Sequence, residues 1–220
     1  MSIKRQLLVG VATLTVLGGV SASANAATPE CGMNCGSVFS LELGGTQAQP
    51  GRVEAVLGGV ARVGQPVILK QASTTDPSQD ILPLGKPVSE FFKDGQVSAD
   101  VNRHFGALFG VQQEYAPYGE GTGLCVGLAK VAYQNEGLTL QPCHVSARTV
   151  WMLNPTTPYF PILNGSTTKF ERPYAMDLPR DEVVNGKKTI QIHVRRQKFL
   201  TDEKTQPDSQ LWGFRQGVLD

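Results

Sequence analysis

The feature that most restricts what this chain can fold into is a loose threefold internal repetition. The first copy reads Gly64-Gln65-Pro66-Val67-Ile68-Leu69 and later Ser78-Gln79-Asp80-Ile81. In the second, Glu136-Gly137-Leu138-Thr139-Leu140-Gln141-Pro142-Cys143 leads to Arg148-Thr149-Val150-Trp151. The third has Asn185-Gly186-Lys187-Lys188-Thr189-Ile190-Gln191-Ile192-His193 and closes with Ser209-Gln210-Leu211-Trp212. Each copy holds a Gly-containing turn, an apolar strand, a polar loop and a short block ending in a large apolar residue. With Ile81, Trp151 and Trp212 taken as equivalent, the spacings are 70 and 61 residues. A single unit of this kind cannot bury its own apolar face, whereas three around one axis share a core. Ile81, Trp151 and Trp212 are therefore the expected core, and closing the sheet into a barrel removes its exposed edges.

Apolar residues arrive in short blocks, Val38 to Leu43, Pro66 to Leu69, Gly137 to Leu140 and Thr189 to Val194, bounded by turn residues. Blocks of that length read as antiparallel strands rather than helices. The one helix candidate runs from about Pro87 to Gly106, where Val88, Phe91, Phe92, Val101 and Phe105 can line a face, with Gly95 interrupting it. That candidate lies in a long insertion, 82–124, between the first and second repeats, whose many aromatic residues are expected to be mostly core.

Lys4 and Arg5, the apolar run from Leu7 to Val20, and Ala24-Asn25-Ala26 have the order of a secretory signal peptide, with cleavage before Ala27. The expected organisation is a signal peptide over 1–26, an N-terminal arm over 27–36, and one domain over 37–220. Without the signal, 18 basic residues face 19 acidic ones, a net charge of −1. That balance argues against nucleic acid and, once the signal is cleaved, against a membrane partner. Cys31, Cys35, Cys125 and Cys143 all follow the signal, and an even count in an exported chain favours disulfides. Of three pairings, 31 with 35 and 125 with 143 is the most economical; a metal site is disfavoured because the short paired knuckles of structural zinc are missing. The expected location is secreted or extracytoplasmic.

These repeats resemble the ricin B-type β-trefoil lectins, whose repeats carry a Cys-x-Asp segment, an Asn-Gly turn, a second Cys and a closing Gln-x-Trp. Gln210-Leu211-Trp212 has the whole closing motif, Thr149-Val150-Trp151 keeps its Trp, and Gln79-Asp80-Ile81 keeps its Gln. Cys125 and Cys143, with Pro142 before the second, fall where that family places an intra-repeat disulfide. The resemblance runs from about Val38 to the C-terminus and implies an all-β fold, a β-trefoil with pseudo-threefold repeats.

It also implies a carbohydrate site, repeat by repeat. A carboxylate or amide holds vicinal hydroxyls and an aromatic ring packs on the apolar face of a sugar. In the third repeat Ala175-Met176-Asp177-Leu178 resembles the Cys-x-Asp segment. Asp177 would be the carboxylate, Gln191 and His193 the strand amide and ring, and Gln210 the amide before the Trp. In the second repeat Gly127 replaces the Asp, Thr139 the strand Gln and Arg148 the Asn; in the first, Ala55 holds the Asp position with Glu54 on the opposite face. The resemblance thus implies a non-catalytic carbohydrate-binding protein with at most one working site. The alternative is an exported trefoil that has lost sugar binding and serves as a protein-interaction or structural module. No G-x-S-x-G elbow or H-E-x-x-H helix is present, so a hydrolase is not expected, and no cofactor is implied. Asn164-Gly165-Ser166 forms a glycosylation sequon.

Overall fold

The computed structural model describes residues 27–184, 186, 189–199 and 205–216. The segment read as a signal peptide, 1–26, and Asn185, Lys187 and Lys188 of the third-repeat turn lie outside the described residues.

Six strands close a barrel. They are β1 (Gly36–Ser40), β4 (Ile81–Pro87), β5 (Phe109–Tyr115), β9 (Trp151–Leu153), β10 (Leu163–Asn164) and β14 (Trp212–Gln216). Going round, β14 pairs β1, β1 meets β4 at Gly36 and Ile81, β4 pairs β5, β5 pairs β9, β9 pairs β10, and a bridge from Phe160 to Trp212 returns to β14. Three hairpins cap one end: β2 (Arg52–Val56) with β3 (Val67–Gln71), β6 (Leu124–Gly127) with β8 (Thr139–Pro142), and β11 (Tyr174–Asp177) with β13 (His193–Arg196). Two short strands tie the caps together, β7 (Glu136–Gly137) on β13 and β12 (Ile190–Gln191) on β3.

The threefold axis is visible in hydrogen bonds. Val67 N donates to Leu138 O at 2.9 Å, Leu138 N to Ile192 O at 2.7 Å, and Ile192 N to Val67 O at 3.2 Å, a closed ring of one residue per repeat. From that ring the register aligns the hairpins: Ala55, Gly127 and Asp177 are equivalent, and they face Ile68, Thr139 and His193. One step further, Glu54, Val126 and Met176 point into the core. This is a β-trefoil.

A short 3-10 turn, at Pro77–Gln79, Ala147–Thr149 and Asp208–Gln210, precedes each of Ile81, Trp151 and Trp212. All three side chains are buried in one cluster with Val67, Leu138 and Ile192. Both indoles also find an acceptor, since Trp151 Nε1 donates to Val126 O at 2.9 Å and Trp212 Nε1 to Met176 O at 3.0 Å. The first repeat has no indole. Ile81 is smaller, and its cross-strand partner Tyr115 is buried in the same cluster, with its hydroxyl donating to Gly59 O.

The insertion resolves into the β4–β5 hairpin with two helices at its tip, α1 (Val88–Lys93) and α2 (Ala99–Phe105). The helix candidate over 87–106 divides at Gly95, the residue expected to interrupt it, whose φ of 72° ends the first helix. Ser98 starts the second by accepting from Val101 N. Val88, Phe91, Val97 and Val101 bury a second core against Val150, Met152, Leu163 and Ala175 on the outside of the barrel. Tyr115 and Phe91 are core as expected, but Phe92, Phe109 and Tyr118 are exposed. The last helix, α3 (Arg180–Val184), follows β11.

The disulfides pair Cys31 with Cys35 and Cys125 with Cys143. The N-terminal arm is held by Asp80, which accepts from Thr28 N at 2.8 Å, Thr28 Oγ1 at 2.7 Å and Tyr118 N at 2.9 Å. No helix among the described residues is long and apolar enough to cross a membrane.

Candidate functional site

The three cap hairpins offer three equivalent positions, and their chemistry differs. In the first, Ala55 and Ile68 are both buried and carry no polar group. In the second, Gly127 leaves no space for a carboxylate: a Cβ there would lie 2.7 Å from Thr149 Cγ2 and 2.8 Å from Arg148 O. The register also refines the sequence alignment. Thr139, opposite Gly127, occupies the place of His193, so the strand-amide position is filled by Gly137.

Only the third hairpin assembles a polar constellation. Asp177 on β11 and His193 on β13 are direct cross-strand partners. Such a pair brings Cβ atoms to about 5 Å. The Asp177 side chain is only 1% exposed. Its Oδ2 accepts from Gln210 Nε2 at 2.9 Å and lies 3.5 Å from Lys198 Nζ, while Oδ1 lies 4.0 Å from Arg195 Nη1. The carboxylate is thus charge-compensated on both oxygens, yet Oδ1 has no hydrogen-bond partner, and neither does His193 Nδ1. Burial pushes the His193 imidazole below its ordinary value and Arg195 adds to this, against the opposing pull of Glu182 and Asp177. The ring is therefore neutral near pH 7.

Gln210 has a structural job that its motif explains. Its Oε1 accepts from Lys198 N at 2.7 Å and its Nε2 donates to Arg196 O at 3.1 Å, which ties the 3-10 turn to the end of β13. Gln79 does the same in the first repeat, accepting from Ser73 N and donating to Gln71 O. What is added in the third repeat is the bond to Asp177, so one amide both fixes the turn and orients the carboxylate.

Gln191 does not join this group through any hydrogen bond among the described residues. Its Nε2 donates to Leu138 O at 3.1 Å, and its side chain fills the space a Cβ on Gly137 would take. Arg195 and Lys198 were not singled out in the sequence. Arg195 follows His193 by two residues on the same strand face, the signal that alternation offered; Lys198 lies beyond the strand and carried none.

Concavities also lie elsewhere among the described residues. A cavity of about 620 Å³ at the open end of the barrel is lined by Pro83, Phe109, Val111, Leu153, Phe160 and Phe214 among others. A smaller one, of about 330 Å³, lies beside α2. The sequon residue Asn164 is fully buried: its Nδ2 donates to Arg148 O and its Oδ1 accepts from Ser166 N and Oγ, so the folded chain does not present it.

No family model matches the chain, and no curated protein matches it by sequence. Solved structures do match. The designed threefold-symmetric protein ThreeFoil aligns at 10% identity over 83% of this chain and 98% of its own, with a TM-score of 0.50. An exo-β-1,3-galactanase from Clostridium thermocellum aligns at 10% identity over 84% of this chain, with a TM-score of 0.52, but the match covers only 30% of that enzyme. The C-half of an earthworm R-type lectin, solved with GalNAc, aligns at 10% identity over 83% of this chain and 98% of its own, with a TM-score of 0.40. ThreeFoil, a threefold-symmetric design, agrees with the internal symmetry of this chain: the class is β-trefoil, the architecture of the ricin B-type family that the repeats resemble.

Proposed function

We propose that this is an exported, non-catalytic carbohydrate-binding β-trefoil with one working site, on the third hairpin. The observation that carries the reading is that Asp177 and His193, directly opposed residues, each keep a buried polar atom without a hydrogen-bond partner, Oδ1 and Nδ1. A buried acceptor left unpaired costs about 1–3 kcal/mol, and a hydroxyl admitted by a shift of the side chains that cover Oδ1 removes that cost. Gln210, Lys198 and Arg195 hold the carboxylate in place before any ligand arrives, which lowers the ordering cost of binding. The imidazole supplies a modest platform for a pyranose face. One fold neighbour belongs to a galactanase, but the reading for this chain rests on its own residues.

The test is a glycan array with wild type and Asp177→Asn. Asn can still accept from Gln210 while presenting an amide N–H where Oδ1 stood, so the fold stays and the free acceptor goes. Hits should weaken by about 10- to 100-fold, the worth of one charge-assisted hydrogen bond, with little change in melting temperature. A silent array for a fully folded wild type would favour the alternative, a trefoil that has lost sugar binding.

A further inference from the structure

Side chains alternate in and out along each barrel strand, and the inward set that buries Ile81, Trp151 and Trp212 continues to the end opposite the hairpin caps. There it reaches Gly85 on β4, Phe109 and Val111 on β5, Leu153 on β9, and Phe214 and Gln216 on β14. These residues do not fill the space they surround. The cavity of about 620 Å³ between them falls within the roughly 300–1,000 Å³ of small-molecule sites, and the mouth of a β-barrel is a common place for one.

Two of its rings are seated before any ligand arrives. A Cβ on Gly85 would lie 2.3 Å from Phe109 Cζ, and one on Gly36 would lie 2.3 Å from Phe214 Cζ. Each glycine is the diagonal cross-strand neighbour of its ring, since Gly85 pairs Val111 and Gly36 pairs Gln216. Each ring tip therefore takes the place of a missing side chain on the next strand, and any larger residue at position 36 or 85 would displace it. Val111, Leu153 and Phe160, all buried, complete the apolar lining. A wall fixed in this way lowers the ordering cost of binding.

The chemistry of the lining selects the occupant. No charged side chain among the described residues lines the cavity, so an ionised ligand would lose hydration there without gaining a counter-charge. Three aromatic rings favour a flat apolar body. Of the polar side chains, Gln47 Nε2 donates to Pro158 O at 3.2 Å, Gln216 Nε2 to Met33 O at 3.2 Å, and Thr157 Oγ1 to Tyr159 O at 2.7 Å. The Thr157 proton is thus used, and neither amide oxygen has a donor among the described residues. Acceptors in want of a donor call for a hydroxyl. We propose that the barrel mouth binds an uncharged aromatic alcohol, its rings packed on Phe109, Phe160 and Phe214 and its hydroxyl donating to Gln47 or Gln216. The cavity shares no residue with the Asp177 constellation, so this site is independent of sugar binding.

The experiment is equilibrium dialysis of the folded chain near neutral pH against 2-naphthol, 2-naphthoate and 2-methylnaphthalene, which share one ring system and differ in one group. 2-Naphthol should bind saturably at a single site, about 10-fold or more tighter than 2-naphthoate. It should also bind at least as tightly as 2-methylnaphthalene, although water holds its hydroxyl better. Gln47→Leu/Gln216→Leu changes two exposed residues and should weaken 2-naphthol by about 3- to 10-fold, the worth of one neutral hydrogen bond, without weakening 2-methylnaphthalene. Phe109→Ala removes an exposed ring and should weaken both neutral ligands by about 10-fold. Asp177→Asn should bind 2-naphthol as the wild type does, so the two sites fail separately. No saturable binding of 2-naphthol, equal affinity for 2-naphthoate, or indifference to the Phe109 and glutamine variants would each overturn the proposal.

Discussion

Glu54 is the most consequential residue of the first cap hairpin, because it puts a carboxyl group where the other two repeats place Val126 and Met176. The group is buried, Gln113 Nε2 donates to its Oε2 at 3.0 Å, and its Oε1 has no partner. Desolvation pushes its pKa from 4.5 to about 8. The folded chain therefore keeps a proton that the unfolded chain gives up, and folding stability falls as pH rises between those two values. At about 1.36 kcal/mol per pH unit, the loss approaches about 5 kcal/mol by pH 8. That is a large part of the roughly 5–15 kcal/mol typical of a domain. Glu54→Gln keeps the shape and can still accept from Gln113, but has no proton to lose. Urea unfolding of both proteins at several pH values from 4.5 to 8.5 reads the difference directly. The variant should match the wild type near pH 4.5 and exceed it by several kcal/mol at pH 8. Parallel pH profiles would refute the argument, because they would mean that the carboxyl group is solvated or paired in the fold.

Further outcomes follow from the same geometry. Trp212→Ala removes a core ring and the donor to Met176 O, and should cost about 3–5 kcal/mol in denaturant unfolding. Replacing Cys125 and Cys143 by Ser opens a loop of 18 residues and should cost about 3 kcal/mol by the same measurement. Gly127→Ala presses on Thr149 and Arg148 O and should lose about 1–3 kcal/mol, which accounts for a second repeat without the carboxylate. His193 acts in the opposite direction to Glu54. Its lowered pKa means that stability is lost as pH falls below the ordinary 6.5, and His193→Gln should flatten that acid limb of the unfolding curve.

Much of this architecture was legible in the residues. The equivalence of Ile81, Trp151 and Trp212 follows from the shared layout of the three repeats, and the 3-10 turns before them are the structural form of the closing motif. The placement of Asp177, Gly127 and Ala55 at one equivalent position was also readable, through the match of each repeat to the Cys-x-Asp segment of the family that the repeats resemble. What escaped was set by tertiary contacts. Nothing local to Gln191 shows that its amide is taken by Leu138 of the neighbouring repeat, nor that Asn164 of the sequon turns inward to Arg148 O. The interruption at Gly95 in the helix candidate over 87–106 is legible from the residue type, but not that Gly95 in a left-handed conformation lets the chain turn and bury both halves on the barrel.

The claim that one hairpin of three carries the site is tested most directly by amide NMR during titration with a sugar that binds. Shifts should concentrate at Asp177, His193 and Gln210, while Ala55, Ile68, Gly127 and Thr139, at the equivalent places, stay still. Movement at the first or second hairpin, or at none of the three, would contradict it.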